Sequence, residues 1–436
     1  MKKFKYLIYI LAFSFNIHAE NPVKKEAPVI YARVLVYTQT VEKANQALEQ
    51  VGVNPDSNLV SEFPQTINSI FYTQNITLDL ASYPPPDLQQ LSYFGQGLSK
   101  KQADDVQNYK AAVIIDFVYP LKDMAKGLKL AYQKAYEVAR LSNGFLWDSE
   151  TRELYTEQTW KKMRLDAWEG NTPIINSQIV IHAYQASNNI RAITLGMAKF
   201  GLPDIVADNF SWSLNSSMSD LIILIGQSMI EGTYPINDKL NIDILKLKNT
   251  QYKANLINAL EENSQGKFTI TLGTGIWEEG DPNNLLIQLK FDEFNGKTIK
   301  EKQEYFLSSV FGWKDDLSYV DHNEQILEAS NRAKSKLLQL NIDYNNGLAP
   351  GEFIMLKAPF ETPDGTNEWM WVEVMSWNGD SIKGLLKNEP FNVPGLKGGS
   401  EVIVNQDDIF DYIRVFPDGS RKGNETGSLI RKFQTN

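Results

Sequence analysis

"EWMWVEVMSWNGDSIKGLLKNEP", residues Glu368–Pro390, carries three tryptophans within nine residues. Asn378-Gly379 is a strong hairpin signal, because a type I′ turn needs positive φ at both central positions. With that pair as the loop, Trp377 faces Asp380, Met375 faces Ile382, Trp371 faces Leu386 and Trp369 faces Asn388. Alternation then puts Trp369, Trp371, Glu373, Met375 and Trp377 on one face. Met370, Val372, Val374 and Ser376 take the other. Both faces carry apolar residues, so the strand is expected at the centre of a small barrel or tightly curled sheet.

Two readings of the tryptophans follow. A module of this size must fill its core, and large aromatics do so efficiently. Alternatively they line a shallow groove, with Trp369 or Trp377 at its mouth and Glu373 as its polar handle. Asn388 and Glu389 then belong to the same surface. Lys357 is the nearest counter-charge in sequence for Glu373, since an unpaired buried carboxylate is costly.

Outward from this stretch, residues 346–436 read as strand and turn throughout: "EFIMLKAPF", the tryptophan hairpin, "SEVIVN" and "DYIRVF". A middle unit, 246–345, pairs "KFTITLG" (267–273) with "LLIQLKF" (285–291) across the loop "TGIWEEGDPNN". Helices are expected over 298–311 and 321–340. Residues 20–245 alternate strands with helices. Strands are expected at 29–38, 75–83, 111–120 and 177–185, helices at 41–52 and 218–232, and a strand–turn–strand at 145–156. Met124, Leu128, Ala131, Ala135 and Val138 mark a further helix that stops at Asn143-Gly144. The fold class is α+β, with helices on a sheet in the N-terminal region and a small all-β, barrel-like module at the C-terminus.

Residues 1–19 read as an export signal. Lys2, Lys3 and Lys5 precede the apolar run Tyr6–Ile17, which is too short to span a bilayer, and Ala19 offers a cleavage site. The mature chain is expected in the periplasm or secreted, with no integral membrane segment. The chain has no cysteine, which excludes disulfides, thiolate catalysis and a lipid-modified cysteine. Its net charge is −10, and loss of three signal lysines makes the remainder more acidic. A phosphate backbone is repelled by such a surface, so no nucleic acid is expected as a partner. A protein partner is permitted. Composition does not indicate the oligomeric state.

Catalytic and cofactor motifs fail on inspection. Gly296-Lys297-Thr298 ends like a phosphate loop but lacks its first glycine, and Gly273 and Gly275 lack the third glycine of a dinucleotide fingerprint. Gly379-Asp380-Ser381 is one residue out of step for a nucleophile elbow. Only His182 and His322 lie beyond the signal, neither in a triad or metal context. "NIDYNNGLAPGE" places Asn341, Asp343, Asn345 and Glu352 at calcium-loop positions, but Asn346 stands where glycine is required and no helix follows. No cofactor, metal or catalytic residue is assigned. Glu278, Glu279 and Asp281 could act as paired carboxylates on a glycan, or simply form a solvated hairpin tip.

"LKAPF" (356–360), "EWMWVEV" (368–374), "LLKNEP" (385–390), "VPGLKGG" (393–399) and "DIFDYI" (408–413) occur in order at set spacings. Together they resemble the bacterial family known as domain of unknown function 2314 (DUF2314), over roughly the last 115 residues. The resemblance implies a small β-rich module, often in exported or envelope proteins, and no activity. "TLGMAKFGLPDI" (194–205) is similar to a motif of uncharacterised bacterial proteins that carry such modules. The expectation is an exported, non-enzymatic binding protein that meets a protein partner through Lys357, Trp369, Trp371, Glu373, Trp377, Asn388 and Glu389. The alternative is an envelope hydrolase or glycan-binding enzyme using the 276–284 carboxylates.

Overall fold

The computed structural model describes residues 29–51, 70–186, 189–211, 214–260, 264–312, 324–349, 352–363, 365–388, 390–416 and 421–434. The candidate signal, His322 and Glu389 lie outside these residues.

The N-terminal sheet is built from β1 (Val29–Thr38), β2 (Phe71–Thr77), β3 (Gly95–Gln96), β4 (Ala111–Pro120), β5 (Phe145–Asp148) and β6 (Glu153–Tyr155), in the order β2-β4-β1-β5-β6-β3. Every residue of β4 is buried, which explains its unbroken apolar run. Helices α1 (Val41–Val51), α2 (Leu88–Phe94), α3 (Lys100–Val106) and α4 (Met124–Ser142) cover the sheet. Ala44, Ala47, Leu128, Ala131 and Ala135 of α1 and α4 pack on one face. Leu91, Ala103 and Val106 of α2 and α3 pack on the other. Asn143 ends α4 in the left-handed region, with φ 52°. Strand β2 ends at Thr77, so the alternation over 75–83 marks a strand end and a turn.

A short helix α5 (Glu157–Trp160) and a two-stranded hairpin, β7 (Trp168–Glu169) and β8 (Thr172–Pro173), lead to the second sheet. It contains β9 (Val180–Ala186), β10 (Asn189–Leu195), β11 (Asp204–Phe210), β12 (Lys239–Asp243), β13 (Lys267–Thr274) and β14 (Leu286–Lys290), ordered β12-β13-β14-β11-β10-β9. The division expected after residue 245 does not separate two sheets. β13 and β14, from beyond it, hydrogen-bond to β12 and β11, from before it. Helices α6 (Asn215–Ile230), α7 (Thr250–Ala259) and α8 (Ile299–Phe311) accompany this sheet. One apolar cluster runs through both sheets, from Ile30 to Phe311.

Helices α9 (Glu324–Lys334) and α10 (Leu337–Asn346) precede the third sheet. Its strands are β15 (Phe353–Glu361), β16 (Asn367–Asn378), β17 (Ser381–Leu386), β18 (Glu401–Asn405), β19 (Asp411–Val415) and β20 (Arg421–Gly423), ordered β18-β17-β16-β15-β19-β20. It is an open sheet rather than the expected barrel-like closure: β18 and β20 each pair with one neighbour. Leu337 and Leu340 of α10 pack with Ile354, Leu356, Met370, Val372, Trp377 and Ile382 in a separate core. Helix α11 (Glu425–Gln434) closes the chain and joins α9 through Arg332–Glu425 at 2.8 Å. Among the described residues, no helix is long and apolar enough to cross a membrane.

Candidate functional site: the outer face of the C-terminal sheet

Strand β16 alternates strictly at first. Glu368, Met370, Val372 and Val374 are buried, while Trp369, Trp371 and Glu373 are partly exposed on the opposite face. The register with β17 then shifts. Val374 pairs with Gly384 but Ser376 pairs with Lys383, leaving Met375 as the extra residue of a β-bulge. One inserted residue reverses the alternation. Trp377 therefore turns into the core, where it is 1% exposed, and its indole N–H donates to Gln406 Oε1 at 3.0 Å. The expected single-face row of tryptophans is corrected accordingly.

The hairpin loop is Gly379-Asp380 rather than Asn378-Gly379, because Asn378 pairs with Ser381. In this loop only Gly379 has positive φ, 58°. Glycine at the first central position suits a type II′ turn.

On the outer face Lys357 stands directly opposite Trp371 in the β15–β16 register. Its ammonium lies 5.8 Å from the Trp371 ring centroid, within cation–π range. Burial pulls the Lys357 ammonium below its ordinary pKa, and Asp411 only partly restores it. Asn388 Oδ1 accepts from the Trp371 backbone N–H at 2.6 Å and fixes the strand end. Trp369 stacks at 4.7 Å, centroid to centroid, on Phe410. The counter-charge of Glu373 is Lys387 at 2.9 Å, not Lys357 as its proximity in sequence suggested. The return strand brings Lys387 alongside β16: its backbone N–H donates to Trp371 O at 2.8 Å. The structure thus gathers Lys357, Trp369, Trp371, Glu373 and Asn388 around one face and removes Trp377 from it.

The same module holds a groove of about 460 Å³ lined by Pro359, Phe360, Glu361, Ser381, Ile403 and Asp408. Ile403 on edge strand β18 is 74% exposed. The calcium-like spacing falls differently. Asn341, Asp343 and Asn345 lie in α10, and Asp343 and Glu352 both pair with Arg414, the latter at 2.5 Å. Among the described residues, no group of three or more His, Asp or Glu side chains is placed to hold a metal.

Sequence reading missed a cluster of buried charges between the two N-terminal sheets. Lys199 Nζ donates to Asp148 Oδ2 and to Gln178 O, both at 2.7 Å. Arg164 Nη2 lies 3.0 Å from Asp148 Oδ2 and 3.2 Å from Glu153 Oε2, and donates to Tyr155 Oη at 2.6 Å. Burial alone would raise Asp148, but Lys199 and Arg164 outweigh it and hold its pKa below the ordinary value. Burial lowers Lys199 to about 8, against the pull of Asp148.

"TLGMAKFGLPDI" contributes one member of this cluster, Lys199. It also carries Asp204, which accepts from Thr194 at 2.8 Å and from Asn284 at 2.7 Å. Burial nevertheless raises Asp204 to about 6. The residues were visible as a motif, but their convergence depends on sheet packing that a linear pattern does not carry. Asp148, Glu153, Arg164 and Lys199 each meet an opposite charge and Asp204 meets hydrogen-bond donors, the pairing that buried charges require.

The acidic loop is likewise tied down. Arg191 on β10 bonds Asp281 Oδ2, Asp208 Oδ1 and Ile276 O at 2.7, 2.7 and 2.8 Å. Tyr184 donates to Glu278 Oε2 at 3.0 Å. Trp277 in this loop is 58% exposed. His182 stacks edge-on against Phe94 at 5.9 Å. A second cavity, about 420 Å³, lies near the end of α6 and is lined by Glu231, Lys246, Lys248 and Lys267.

The site is a sheet face with aromatic and cationic side chains, carried by a module whose helices begin at Glu324. Residues 324–436 match the family described as an uncharacterized protein conserved in bacteria (DUF2314). No curated protein matches the chain. No solved structure matches it either.

Proposed function

We propose that this is an exported, non-enzymatic binding protein that recognises a protein partner through the outer face of its C-terminal sheet. The observation that carries the reading is the partly exposed pair Trp369 and Trp371, held beside Lys357 and Asn388. Tryptophan is among the residues enriched at the energetic centres of protein interfaces, and the cation–π contact holds Lys357 beside it. Asp281 and Glu278 in the acidic loop are engaged by Arg191 and Tyr184, which leaves the hydrolase reading without a free carboxylate pair there.

The test is in-cell crosslinking in the native host followed by affinity capture. One protein recovered near stoichiometry with wild type, and lost with W369A or W371A, supports the reading. Recovery unchanged by both substitutions removes it. N-terminal sequencing of the captured protein tests export, with Glu20 as the expected first residue.

A further inference from the structure

The outer face holds three hydrogen-bond donors for which the described residues supply no acceptor. The first is the Lys357 ammonium. Its only charged neighbour across the register is Asp411, and that carboxylate is already committed: Oδ1 accepts from the Tyr412 N–H at 2.8 Å, and Oδ2 from Thr426 N–H and Oγ1 at 3.0 and 2.6 Å. The second is the Trp371 indole N–H, on the ring that the ammonium approaches. The third is the Asn388 amide NH₂, directed by Oδ1, which is held by the Trp371 backbone. The neighbouring cation Lys387 is neutralised by Glu373. Asp411 is the charge facing this ammonium, but no direct salt bridge forms, and an anion bound against a partly buried ammonium would add a charge-assisted hydrogen bond.

We propose that Lys357, Trp371 and Asn388 form a receptor for a carboxylate side chain of the protein partner. The segment it suits is an Asp or Glu flanked by an apolar residue that packs on Trp369 and Trp371. An ammonium with two N–H donors beside it, from Trp371 and Asn388, matches the acceptor-only character of a carboxylate. The cation–π contact holds the ammonium over the ring and so fixes where the acid must sit. This deepens the partner-binding reading and rests on it.

The experiment selects random short peptides, displayed on phage, against the full-length protein, and measures the recovered peptides on variants. The expected result is enrichment of Asp or Glu beside an apolar residue. Affinity should fall roughly tenfold or more with K357M, the scale of one charge-assisted hydrogen bond. It should be largely kept with K357R and should weaken as ionic strength rises. K357M preserves side-chain volume but leaves Asp411 without the charge opposite it, so its denaturation midpoint is matched to wild type before affinities are compared, and K357R keeps the charge. Peptides that depend on Trp369 and Trp371 but show no acidic preference, and bind K357M equally, overturn the carboxylate receptor while leaving the aromatic surface. Peptides indifferent to W369A and W371A, or none recovered, overturn both.

Discussion

Trp371 and Trp377 stand six positions apart on β16 yet face opposite sides of the sheet. An even spacing on a regular strand puts two side chains on the same face. The bulge at Met375 adds one residue between them and inverts the second. One tryptophan is thereby given to the core and the other to the surface.

That division predicts unequal costs of truncation. W377A removes a side chain that fills the core and leaves Gln406 without its donor. It should destabilise the C-terminal module by about 3–5 kcal/mol. W371A removes a partly exposed ring and should cost well under half of that. Urea denaturation followed by far-UV circular dichroism compares them, and equal losses would contradict the bulge.

Gly384 sits opposite Val374, where β16 and β17 approach closely. A Cβ there would lie 2.3 Å from Glu373 O and 2.5 Å from Val372 Cγ1. The backbone oxygen cannot step aside without breaking the ladder. G384A should therefore cost about 1–3 kcal/mol and widen the amide exchange of β17. A variant as stable as wild type would mean the strands are farther apart.

The buried charges between the N-terminal sheets predict strong coupling. R164M leaves Asp148 and Glu153 without their shared guanidinium and should lose about 3–5 kcal/mol. K199M and D148N should each be destabilising, and their combination should cost clearly less than the sum. A double-mutant cycle that closes additively would show the 2.7 Å contact to be energetically idle.

Glu150 supplies a pH signature. Burial, reinforced by the nearby Asp148, raises its carboxyl from 4.5 to about 7. The folded state then holds the proton more tightly than the unfolded chain. Stability from this group is full below about pH 4.5 and is lost as pH rises toward 7. Asp204, raised to about 6, acts in the same direction. His182, lowered by burial, acts in the opposite direction below its ordinary value. The difference between E150Q and wild type isolates one group. It should be near zero at pH 4.5 and favour E150Q by at most about 3 kcal/mol above pH 7. A flat difference curve would show that Glu150 titrates normally.

Local pattern carried much of the fold. The ranges of β1 and β4 and the αL stop of α4 at Asn143 were legible because apolar period and cap chemistry are local. The hairpin at Gly379 was legible to within one residue. Its register was not, because a bulge inside a strand leaves no mark in alternation until the partner strand is known. The same holds for the Glu373–Lys387 pair, which depends on that register, and for the Arg164–Asp148–Lys199 junction, which depends on two sheets meeting. Lys357, Trp369, Trp371 and Asn388 converge because they sit at or beside the same cross-strand positions.

Helices α9 and α10 have a further consequence for how this protein can be cut and rejoined. Leu337 and Leu340 belong to the core of the third sheet, and Ser330 Oγ donates to Phe410 O at 2.7 Å. A fragment beginning at the first strand of that sheet would leave these contacts open and present bare apolar surface to solvent. A fragment beginning before Glu324 carries its own cover. The heritable unit is therefore the sheet together with the two helices that precede it, and a gene fusion made at residue 346 would separate a protein from part of its own interior.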